Sequence, residues 1–303
     1  MKQYLAQLQQ ILDEGIERTD RTGVGTISCF GLQARYKMSD GFPAVTTKKL
    51  VWKSMVSELL WFISGSGDIN DLKAIYKHNK LWDLNYKDYL KRRSHPTVVS
   101  TGATGSRGAE RSRRPEPANP TSDGDMGRVY GIQWRHWKRP DGTEVDQLQD
   151  AIDLIRSNPN SRRIIVNAWN PGEVGANDVA LPPCHAFFQF YVADGKLSLQ
   201  MYQRSADMFL GVPLNIASYS LLLHMVAKLT QLEPHEFIHT LGDAHIYLDA
   251  IEQCRIQLTR DALPLPTLHI KDRGQKTIDD FVMDDFELVN YQCHEAIKAR
   301  MAV

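Results

Sequence analysis

The sequence predicts an α+β protein in which helices cover a β-sheet. Two alternating runs rich in aromatic residues and leucine flank Asp194-Gly195, a pair typical of the tight turn in a β-hairpin. Apolar residues recur at helical spacing in 2–17 and 146–158, and the strongly apolar stretch 216–229 also predicts a helix. A chain of 303 residues is long enough for one large core or two ordinary domains.

The composition argues against several classes of protein. Lysine plus arginine equals aspartate plus glutamate, at 36 each, so net charge gives no reason to expect nucleic acid or an anionic membrane. No apolar run approaches the roughly 20 residues that span a bilayer, and the N-terminus lacks the apolar core of a secretory signal. The four cysteines have no CxxC spacing, which argues against a zinc knot or a disulfide scaffold and favours a cytoplasmic location.

The chain begins with the helix at 2–17, followed by a strand at 26–38. The charged, glycine-rich segment 18–26 joins them. It is either a simple connecting loop or a phosphate-binding loop in which Arg21 is the ligand, and its glycine pattern alone is a weak signal.

The next predicted helix contains Glu58 directly before the apolar residues 59–62. A carboxylate at such a border is usually half-solvated and structural. If Glu58 instead faces a cleft, burial raises its pKa and allows it to transfer protons. A further helix is predicted at 68–78.

A flexible surface insertion is predicted at residues 85–125. This range is poor in apolar residues and rich in Gly, Ser, Pro and Arg, so it cannot bury enough surface to order itself strongly. Its basic clusters offer a second interpretation, a weak contact with RNA. The solvated loop is favoured, because no aromatic residues are interleaved in the second cluster.

Two adjacent arginines, Arg162 and Arg163, precede a strand predicted at 164–169. Neighbouring residues at the start of a strand point to opposite faces. The pair is therefore either ordinary surface charge or an anion site that acts across a subunit interface.

The hairpin carries the strongest chemical signal. Cys184 and Arg204 lie equally far from Asp194, so they face each other in an antiparallel pair, within one residue of register. A guanidinium lowers the pKa of a nearby thiol and increases the nucleophilic thiolate form. Ser205, Asp207, Gly211 and Asn215 follow closely. This pattern predicts a cysteine nucleophile and a substrate that carries an anionic group.

Residues 235–239 match the zinc-protease motif HExxH. That motif needs a helix, whereas a proline precedes this segment and a glycine soon follows, so a turn and a strand are favoured. Residues 243–247 alternate, which places His245 and Tyr247 on one face. The remaining predicted elements are a helix at 248–258 and short strands within 263–291.

Together these segments closely resemble the thymidylate synthase family, over nearly the whole chain outside the insertion. The most specific blocks are Pro-Pro-Cys-His at 182–185 and Gln-Arg-Ser-Ala-Asp at 203–207. Other matching blocks lie at 21–23, 46–48, 58–62, 82–83, 129–131, 161–163, 211–213, 215–219, 239–240, 242–245, 247 and 301–303. The resemblance implies a single catalytic domain over 1–303, with one large mixed β-sheet covered by helices and a homodimer formed through that sheet.

The family's chemistry implies a methyltransferase that acts on dUMP, with 5,10-methylenetetrahydrofolate as cosubstrate and no metal. The Cys184 thiolate adds to C6 of uracil, and hydride transfer from the folate yields dTMP and dihydrofolate. Glu58 and Tyr130 transfer protons, and the carboxamide of Asn215 bonds N3 and O4 of uracil. The implied catalytic residues are Cys184, Glu58, Tyr130, Asn215, Arg204 and Asp207.

The same resemblance assigns the residues that bind dUMP. Arg21, Arg204 and Ser205 hold its phosphate, together with Arg162 and Arg163 of the partner subunit. His245 and Tyr247, which share a strand face, bind the deoxyribose hydroxyl. The full implied set is Arg21, Arg162, Arg163, Gln203, Arg204, Ser205, Asp207, Asn215, His245 and Tyr247.

On the folate side, Asp207 binds the pterin, Trp82 packs near the transferred methylene, and Lys48 meets the glutamate tail. The C-terminal residues are either a frayed end or a lid that closes over the folate and excludes water. The implied folate-binding residues are Lys48, Val51, Trp82, Asp207, Gly211, Ala302 and Val303.

Three departures from the family pattern lie on or near the folate side. Asn85 stands where a second tryptophan is common, Val51 stands where many bacterial members have histidine, and the spacing from Glu58 to Trp82 is slightly long. The main alternative is therefore a dUMP hydroxymethylase on the same fold, in which water replaces hydride. A polar Asn85 would admit that water, whereas Trp82 and the C-terminal tail would exclude it.

Overall fold

The computed structural model describes residues 1–20, 22–94, 123–175 and 178–301. Its helices are α1 (Lys2–Glu14), α2 (Trp52–Ile63), α3 (Ile69–Ile75), α4 (Asp83–Ser94), α5 (Tyr130–Arg135), α6 (Gln147–Ser157), α7 (Gly211–Thr230) and α8 (Ile251–Leu258). Its strands are β1 (Ile16–Arg18), β2 (Thr26–Lys37), β3 (Trp137–Lys138), β4 (Glu144–Val145), β5 (Ile165–Asn167), β6 (His185–Ala193), β7 (Lys196–Asp207), β8 (Glu233–Tyr247), β9 (Thr267–Ile270) and β10 (Phe286–Val289). The predicted helix at 2–17 is shorter than expected, because the chain leaves it at Gly15 and enters β1.

Six strands form one mixed sheet in the order β1-β2-β8-β7-β6-β5. Strands β7 and β8 are parallel, and the other neighbours in this sheet are antiparallel. Helices α1, α6 and α7 pack against its strands. The predicted α+β class, with a large mixed sheet covered by helices, is confirmed.

The predicted hairpin forms β6 and β7. Asp194 and Gly195 have φ angles of 49° and 71°, and two positive φ angles are what a two-residue type I′ turn requires. The turn sets the register of the hairpin, and a bulge beside His185 then shifts it by one residue, so that His185 pairs with Gln203. One step further along, the backbone N–H of Arg204 donates to the carbonyl of Cys184 at 2.8 Å. The predicted juxtaposition of these two residues is therefore confirmed.

Helix α7 joins the two parallel strands and is the central helix of the core. The connection brings the carboxyl ends of β7 and β8 to one edge of the sheet, where Asp207 pairs with His245. By length and composition, the 20 residues of α7 could cross a membrane, which corrects the expectation that no apolar run is this long. However, 78% of its most apolar window is buried inside the protein, as in a core helix.

The remaining helices follow the 3.6-residue periodicity of their apolar side chains. Tyr4, Leu8 and Ile11 of α1 are completely buried, and α6 buries Leu148, Ile152 and Ile155 in the same way. The side chain of Asp146 caps α6 by accepting from the backbone N–H of Gln149 at 3.0 Å. Truncating one fully buried leucine such as Leu8 to alanine is expected to cost about 2–5 kcal/mol of stability.

The start of the predicted insertion is different from the expectation. Residues 85–94 belong to α4, in which Tyr89 is buried and Arg92 donates to the carbonyl of Ala180 at 2.7 Å. A mostly polar helix that buries only one aromatic side chain has the composition of a loop, which explains why residues 85–94 were expected to be flexible. The rest of the insertion up to residue 122, with most of the proposed RNA-contacting arginines, lies outside the described residues.

The HExxH segment is part of β8, and no helix forms there. On a strand, His235 and His239 are separated by about 13 Å along the chain, too far to bind one zinc ion as they would on adjacent turns of a helix. In the ranges that the structure describes, no three His, Cys, Asp or Glu side chains group as metal ligands. The favoured interpretation as a strand is therefore confirmed.

Large apolar side chains remain exposed on the sheet. Ile165, Phe187 and Tyr191 share one face, as the pairing of β5 with β6 shows, and Tyr191 is 64% exposed. Phe187 stacks on Tyr202 with ring centroids 5.9 Å apart. A group of exposed apolar residues of this kind indicates an interaction surface.

Candidate active site

A cleft of about 1150 Å³ opens where β7 and β8 end, at the N-terminus of α7. Its other walls come from α2, α4 and the C-terminal segment. Among the predicted site residues, it is lined by Lys48, Val51, Glu58, Trp82, Tyr130, Cys184, Gln203, Arg204, Ser205, Asp207, Gly211, Asn215, His245 and Tyr247. Residues from distant parts of the sequence therefore meet in one cavity large enough for two small molecules.

Cys184 lies immediately before β6 and faces the arginine of the opposite strand. Its Sγ is 3.9 Å from Nη2 of Arg204, a distance at which the positive charge favours the thiolate. The backbone N–H of Cys184 donates to Oη of Tyr130 at 2.7 Å. The ring of Tyr130 is in turn held between Phe62 and His185, with centroids 4.7 and 5.0 Å away. The nucleophile is thus fixed through both its backbone and its charged neighbour.

Arg204 is anchored by the loop that precedes Cys184. Its Nε donates to the carbonyl of Pro183 at 2.9 Å, and its Nη2 donates to that of Pro182 at 2.8 Å. The guanidinium also lies over the ring of Trp169, 5.1 Å from the centroid. Its Nη1 donates to no group in the described ranges, so this nitrogen remains for an anion in the cleft.

Glu58 projects from α2 into a largely apolar wall. Burial raises its pKa to about 7, and the hydrogen bond from Trp82 acts in the opposite direction. A carboxyl with this pKa is present in both protonation forms near neutral pH, as a proton-transfer group requires. The sequence left open whether Glu58 is structural or faces a cleft, and the structure places it in the cleft wall.

Asn215, on the first turns of α7, is held by a neighbouring amide. Nε2 of Gln203 donates to its Oδ1 at 3.1 Å, and His185 forms a further hydrogen bond with it. Burial lowers the pKa of His185 to about 4, so this imidazole is neutral. Asn215 is therefore fixed by neutral hydrogen-bonding partners rather than by a charge.

Asp207 and Lys48 both line the cleft and interact electrostatically. Oδ1 of Asp207 accepts from the backbone N–H groups of Phe209 and Leu210 at 3.0 and 3.1 Å. Burial raises the pKa of Asp207 and lowers that of Lys48 to about 8. The Lys48 ammonium donates to the carbonyl of Phe209 and lies 3.6 Å from the centre of its ring. Lys48 therefore points into the protein, whereas Lys49 is exposed at the rim of the cleft.

His245 and Tyr247 lie near the end of β8, as their alternation predicted. Nδ1 of His245 is 3.1 Å from Oδ1 of Asp243, whose other oxygen accepts from Arg18 at 3.2 Å. The hydrogen bond with His245 lowers the pKa of Asp243. The ionised carboxylate accepts from Nδ1–H and leaves Nε2 of His245 for a ligand.

The folate side of the cleft, as the resemblance defines it, is built from α4, the start of α2 and the C-terminal segment. Asn85, Asp88 and Arg92 of α4 line it together with Val51, which is half exposed. The C-terminal segment is tied down where the N–H of His294 donates to the carbonyl of Thr46 at 2.8 Å. It then reaches the cleft, which it lines with Ala296, Ile297 and Met301.

Some predicted site residues are not brought into this cleft. Arg162 and Arg163 are exposed and do not line it. Arg21, Ala302 and Val303 lie outside the described residues.

The structure also adds residues that the predicted site lacked. Trp169 and Asp243 line the cleft, and the only sequence signal for Asp243 was its place two residues before His245 on an alternating strand. Trp169 follows β5, and no local pattern marked it as a partner of Arg204.

The family comparison agrees with this geometry. The sequence model of a protein family, described as thymidylate synthase, matches residues 2–303. This family consists of methyltransferases that bind dUMP and use methylenetetrahydrofolate as cosubstrate. Since the match extends over essentially the whole chain, the protein belongs to the thymidylate synthase family.

Proposed function

We propose that the protein is a thymidylate synthase, which converts dUMP to dTMP with 5,10-methylenetetrahydrofolate as both one-carbon donor and reductant. The observation that carries this proposal is the placement of Cys184 Sγ 3.9 Å from Arg204, in the same cleft as Asn215. A thiolate, a cation and a carboxamide are the groups needed to attack, hold and recognise a uracil nucleotide.

The first step uses the thiolate. Cys184 adds to C6 of the uracil ring and pushes electron density onto C5 and O4, so that C5 can attack the electrophilic methylene of the folate. Asn215 donates to O4, where the negative charge develops. Loss of the C5 proton, release of the folate, and hydride transfer to the exocyclic methylene then complete dTMP, and Cys184 leaves.

Proton transfer falls to Glu58 and Tyr130. A carboxyl with a pKa of about 7 can both give and take a proton near neutral pH. Tyr130 adds a hydroxyl between the nucleophile and the aromatic wall, since its Oη already accepts from the backbone of Cys184.

The phosphate of dUMP is assigned to Arg204, Ser205 and Arg21, completed by Arg162 and Arg163 of the partner subunit. In support, both adjacent arginines are exposed and lie outside their own cleft. They directly precede β5, whose Ile165 belongs to the exposed apolar group on the sheet. A symmetric dimer through this face would bury that group.

On the folate side, Trp82 and Asp207 are assigned to the methylene and the pterin. The inward direction of Lys48 makes Lys49 the better cation for the glutamate tail. Closure of the C-terminal residues Ala302 and Val303 over the folate would exclude water, and Met301 already lines the cleft.

A second candidate is a dUMP hydroxymethylase, in which water captures the exocyclic methylene. The observation in its favour is that the polar side chain of Asn85 lines the cleft together with Trp82. The synthase is preferred because the aromatic wall around Trp82 restricts water on the methylene side. Trp61 and Tyr130 lie 5.5 and 6.1 Å from its ring centre.

One incubation separates the two candidates. The protein is mixed with dUMP and methylenetetrahydrofolate, and both products are identified by mass spectrometry. A synthase yields dTMP and dihydrofolate in equal amounts. Hydroxymethyl-dUMP together with tetrahydrofolate would support the second candidate, and the absence of both nucleotide products would refute both.

A further inference from the structure

A chain of hydrogen bonds extends from behind the cleft to Asn215. Nε2 of Gln203 donates to the carbonyl of Ser205 at 3.0 Å and to Oδ1 of Asn215 at 3.1 Å. Oε1 of Gln203 lies 2.8 Å from Nε2 of His239. Gln203 and His239 are almost completely buried, and His239 does not line the cleft.

The orientation of every group in this chain follows from one backbone carbonyl. A carbonyl can only accept, so the Gln203 atom that faces Ser205 must be its NH2. The same NH2 faces Asn215, which must therefore present its oxygen to Gln203. The other end of the Gln203 amide is then an oxygen, so His239 must donate to it from Nε2.

The state of His239 is suited to this task. Burial, and the nearby His185, lower its pKa to about 3, so the imidazole is neutral and has a single N–H. Within the described ranges, Nδ1 of His239 is buried and has no hydrogen-bond partner. The one proton of His239 is thus used to hold Gln203, at the cost of leaving Nδ1 unsatisfied.

The chain determines what Asn215 offers to a base. Its oxygen accepts from Gln203 with one lone pair, which turns its NH2 away from Gln203 and makes that NH2 the donor available to the cleft. An NH2 group matches the acceptor O4 of a 4-oxopyrimidine and opposes the donor N4 of a 4-aminopyrimidine. Turning the Asn215 amide over would set two NH2 groups against each other at Gln203.

We propose that His239 is a positioning residue for base selection, which holds Gln203 so that Asn215 keeps its NH2 toward the 4-position of the pyrimidine. This inference rests on the proposed function, because it assumes that dUMP occupies the cleft. His239 acts through Gln203 and does not touch the substrate.

The test compares His239→Phe with two other variants. Phenylalanine fills the site of the imidazole but cannot donate, whereas His239→Gln retains an N–H donor. His224→Phe is the matched control, because His224 is a largely buried imidazole that packs against Phe42 and does not line the cleft. Dissociation constants for dUMP and dCMP are measured by calorimetry for each variant and the wild type.

We expect His239→Phe to reduce the preference for dUMP over dCMP by roughly tenfold or more, since a buried amide loses its fixed orientation. His239→Gln should recover most of that preference, and His224→Phe should retain it. An unchanged preference in His239→Phe, or an equal loss in both phenylalanine variants, would overturn the proposal and leave the proposed function intact. A wild type that binds neither nucleotide would refute the proposed function, and this inference with it.

A second measurement needs neither substrate nor a folded variant. Long-range ¹H–¹⁵N spectra of the histidine-labelled wild type distinguish the two neutral tautomers of an imidazole. We expect His239 to be the Nε2–H tautomer. The Nδ1–H tautomer, or a protonated ring at neutral pH, would contradict this chain of hydrogen bonds whatever the binding data show.

Discussion

The indole N–H of Trp82 donates to Oε1 of Glu58 at 2.6 Å, which joins α2 to the segment that enters α4. Burial raises the pKa of Glu58, and this bond limits the rise to about 7. The residue assigned to the folate methylene thus also tunes the group assigned to proton transfer. Changes at Trp82 should therefore alter the pH dependence of the chemistry as well as folate binding.

The first prediction is that Trp82→Phe moves the acidic limb of the activity profile to higher pH. Phenylalanine keeps an aromatic ring but removes the donor that lowers the pKa of Glu58. Because removal of the C5 proton needs ionised Glu58, the limb should shift upward by about one pH unit. Tritium release from [5-³H]dUMP, measured as a function of pH, reports this step.

Trp61→Phe is the matched control for this shift. The Trp61 indole is also buried in α2, but its Nε1 has no hydrogen-bond partner in the described ranges. The pH–activity profile of Trp61→Phe should keep the acidic limb of the wild type. If both variants shift equally, or neither does, the Trp82–Glu58 bond does not set the pKa.

The second prediction concerns stability. The folded-state pKa of Glu58, about 7, is above its ordinary value of 4.5, so the folded protein binds this proton more tightly than the unfolded chain. The contribution of Glu58 to stability is therefore fully present below pH 4.5 and decreases as the pH rises toward 7. Glu58→Gln stays neutral, so it should gain up to about 3 kcal/mol over the wild type at pH 8 and almost nothing at pH 4.

Urea unfolding at both pH values measures this difference. Glu252→Gln, at an exposed position on α8, should show no comparable gain. The stabilised Glu58→Gln protein should also lose most of its turnover, since a site residue that costs stability is retained for its function. A Glu58→Gln protein that is less stable than the wild type at pH 8 would contradict the pKa assignment.

The sequence predicted the relation between Cys184 and Arg204 because local chemistry determines it. Asp194-Gly195 selects the turn, and the turn sets the register to within one residue; a bulge beside His185 supplies that last residue and places the two side chains across from each other. The strand nature of 235–239 followed in the same way from its flanking proline and glycine. Local signals were sufficient wherever the contact lay within one hairpin or one strand.

Other contacts depend on tertiary packing and had no local signal. Strands β7 and β8 pair in a register that depends on how α7 folds back between them, so the approach of His239 to Gln203 could not be predicted. Trp82 reaches Glu58 only because α4 follows directly after it, and the polar composition of α4 resembled a loop. Lys48 lines the cleft as predicted, but its ammonium contacts the carbonyl and the ring of Phe209, a partner that no local pattern indicated.

The third prediction is that Asn215→Asp shifts preference from dUMP toward dCMP. A carboxylate cannot donate to O4, but it can accept from the 4-amino group of cytosine. Gln203 would still donate to one of its oxygens, so the side chain should keep its position. We expect kcat/KM for dUMP to fall by roughly two orders of magnitude and that for dCMP to rise.

Asn215→Ala separates recognition from simple loss of a contact. This variant should lower kcat/KM for dUMP without raising kcat/KM for dCMP, because the alanine side chain neither donates nor accepts a hydrogen bond. Steady-state kinetics with both nucleotides give the comparison. An aspartate variant that retains the wild-type preference would show that Asn215 does not recognise the base.

The fourth prediction is that Arg162 and Arg163 serve the cleft of the partner subunit. Both are exposed, lie outside their own cleft and precede the strand that carries the exposed Ile165. Cys184→Ser and the double variant Arg162→Ala/Arg163→Ala should each form inactive homodimers. In a mixed dimer, one cleft combines an intact Cys184 with the intact arginines of the Cys184→Ser subunit, and the other cleft has neither. Purified mixed dimers, isolated through two different affinity tags, should therefore recover about half of the wild-type turnover per dimer.

Arginines that act within their own subunit would leave every cleft of the mixed dimer defective, so the absence of recovery would contradict the shared site. Since both subunits fold normally in either case, dUMP binding by the Cys184→Ser homodimer provides the control that its cleft is intact.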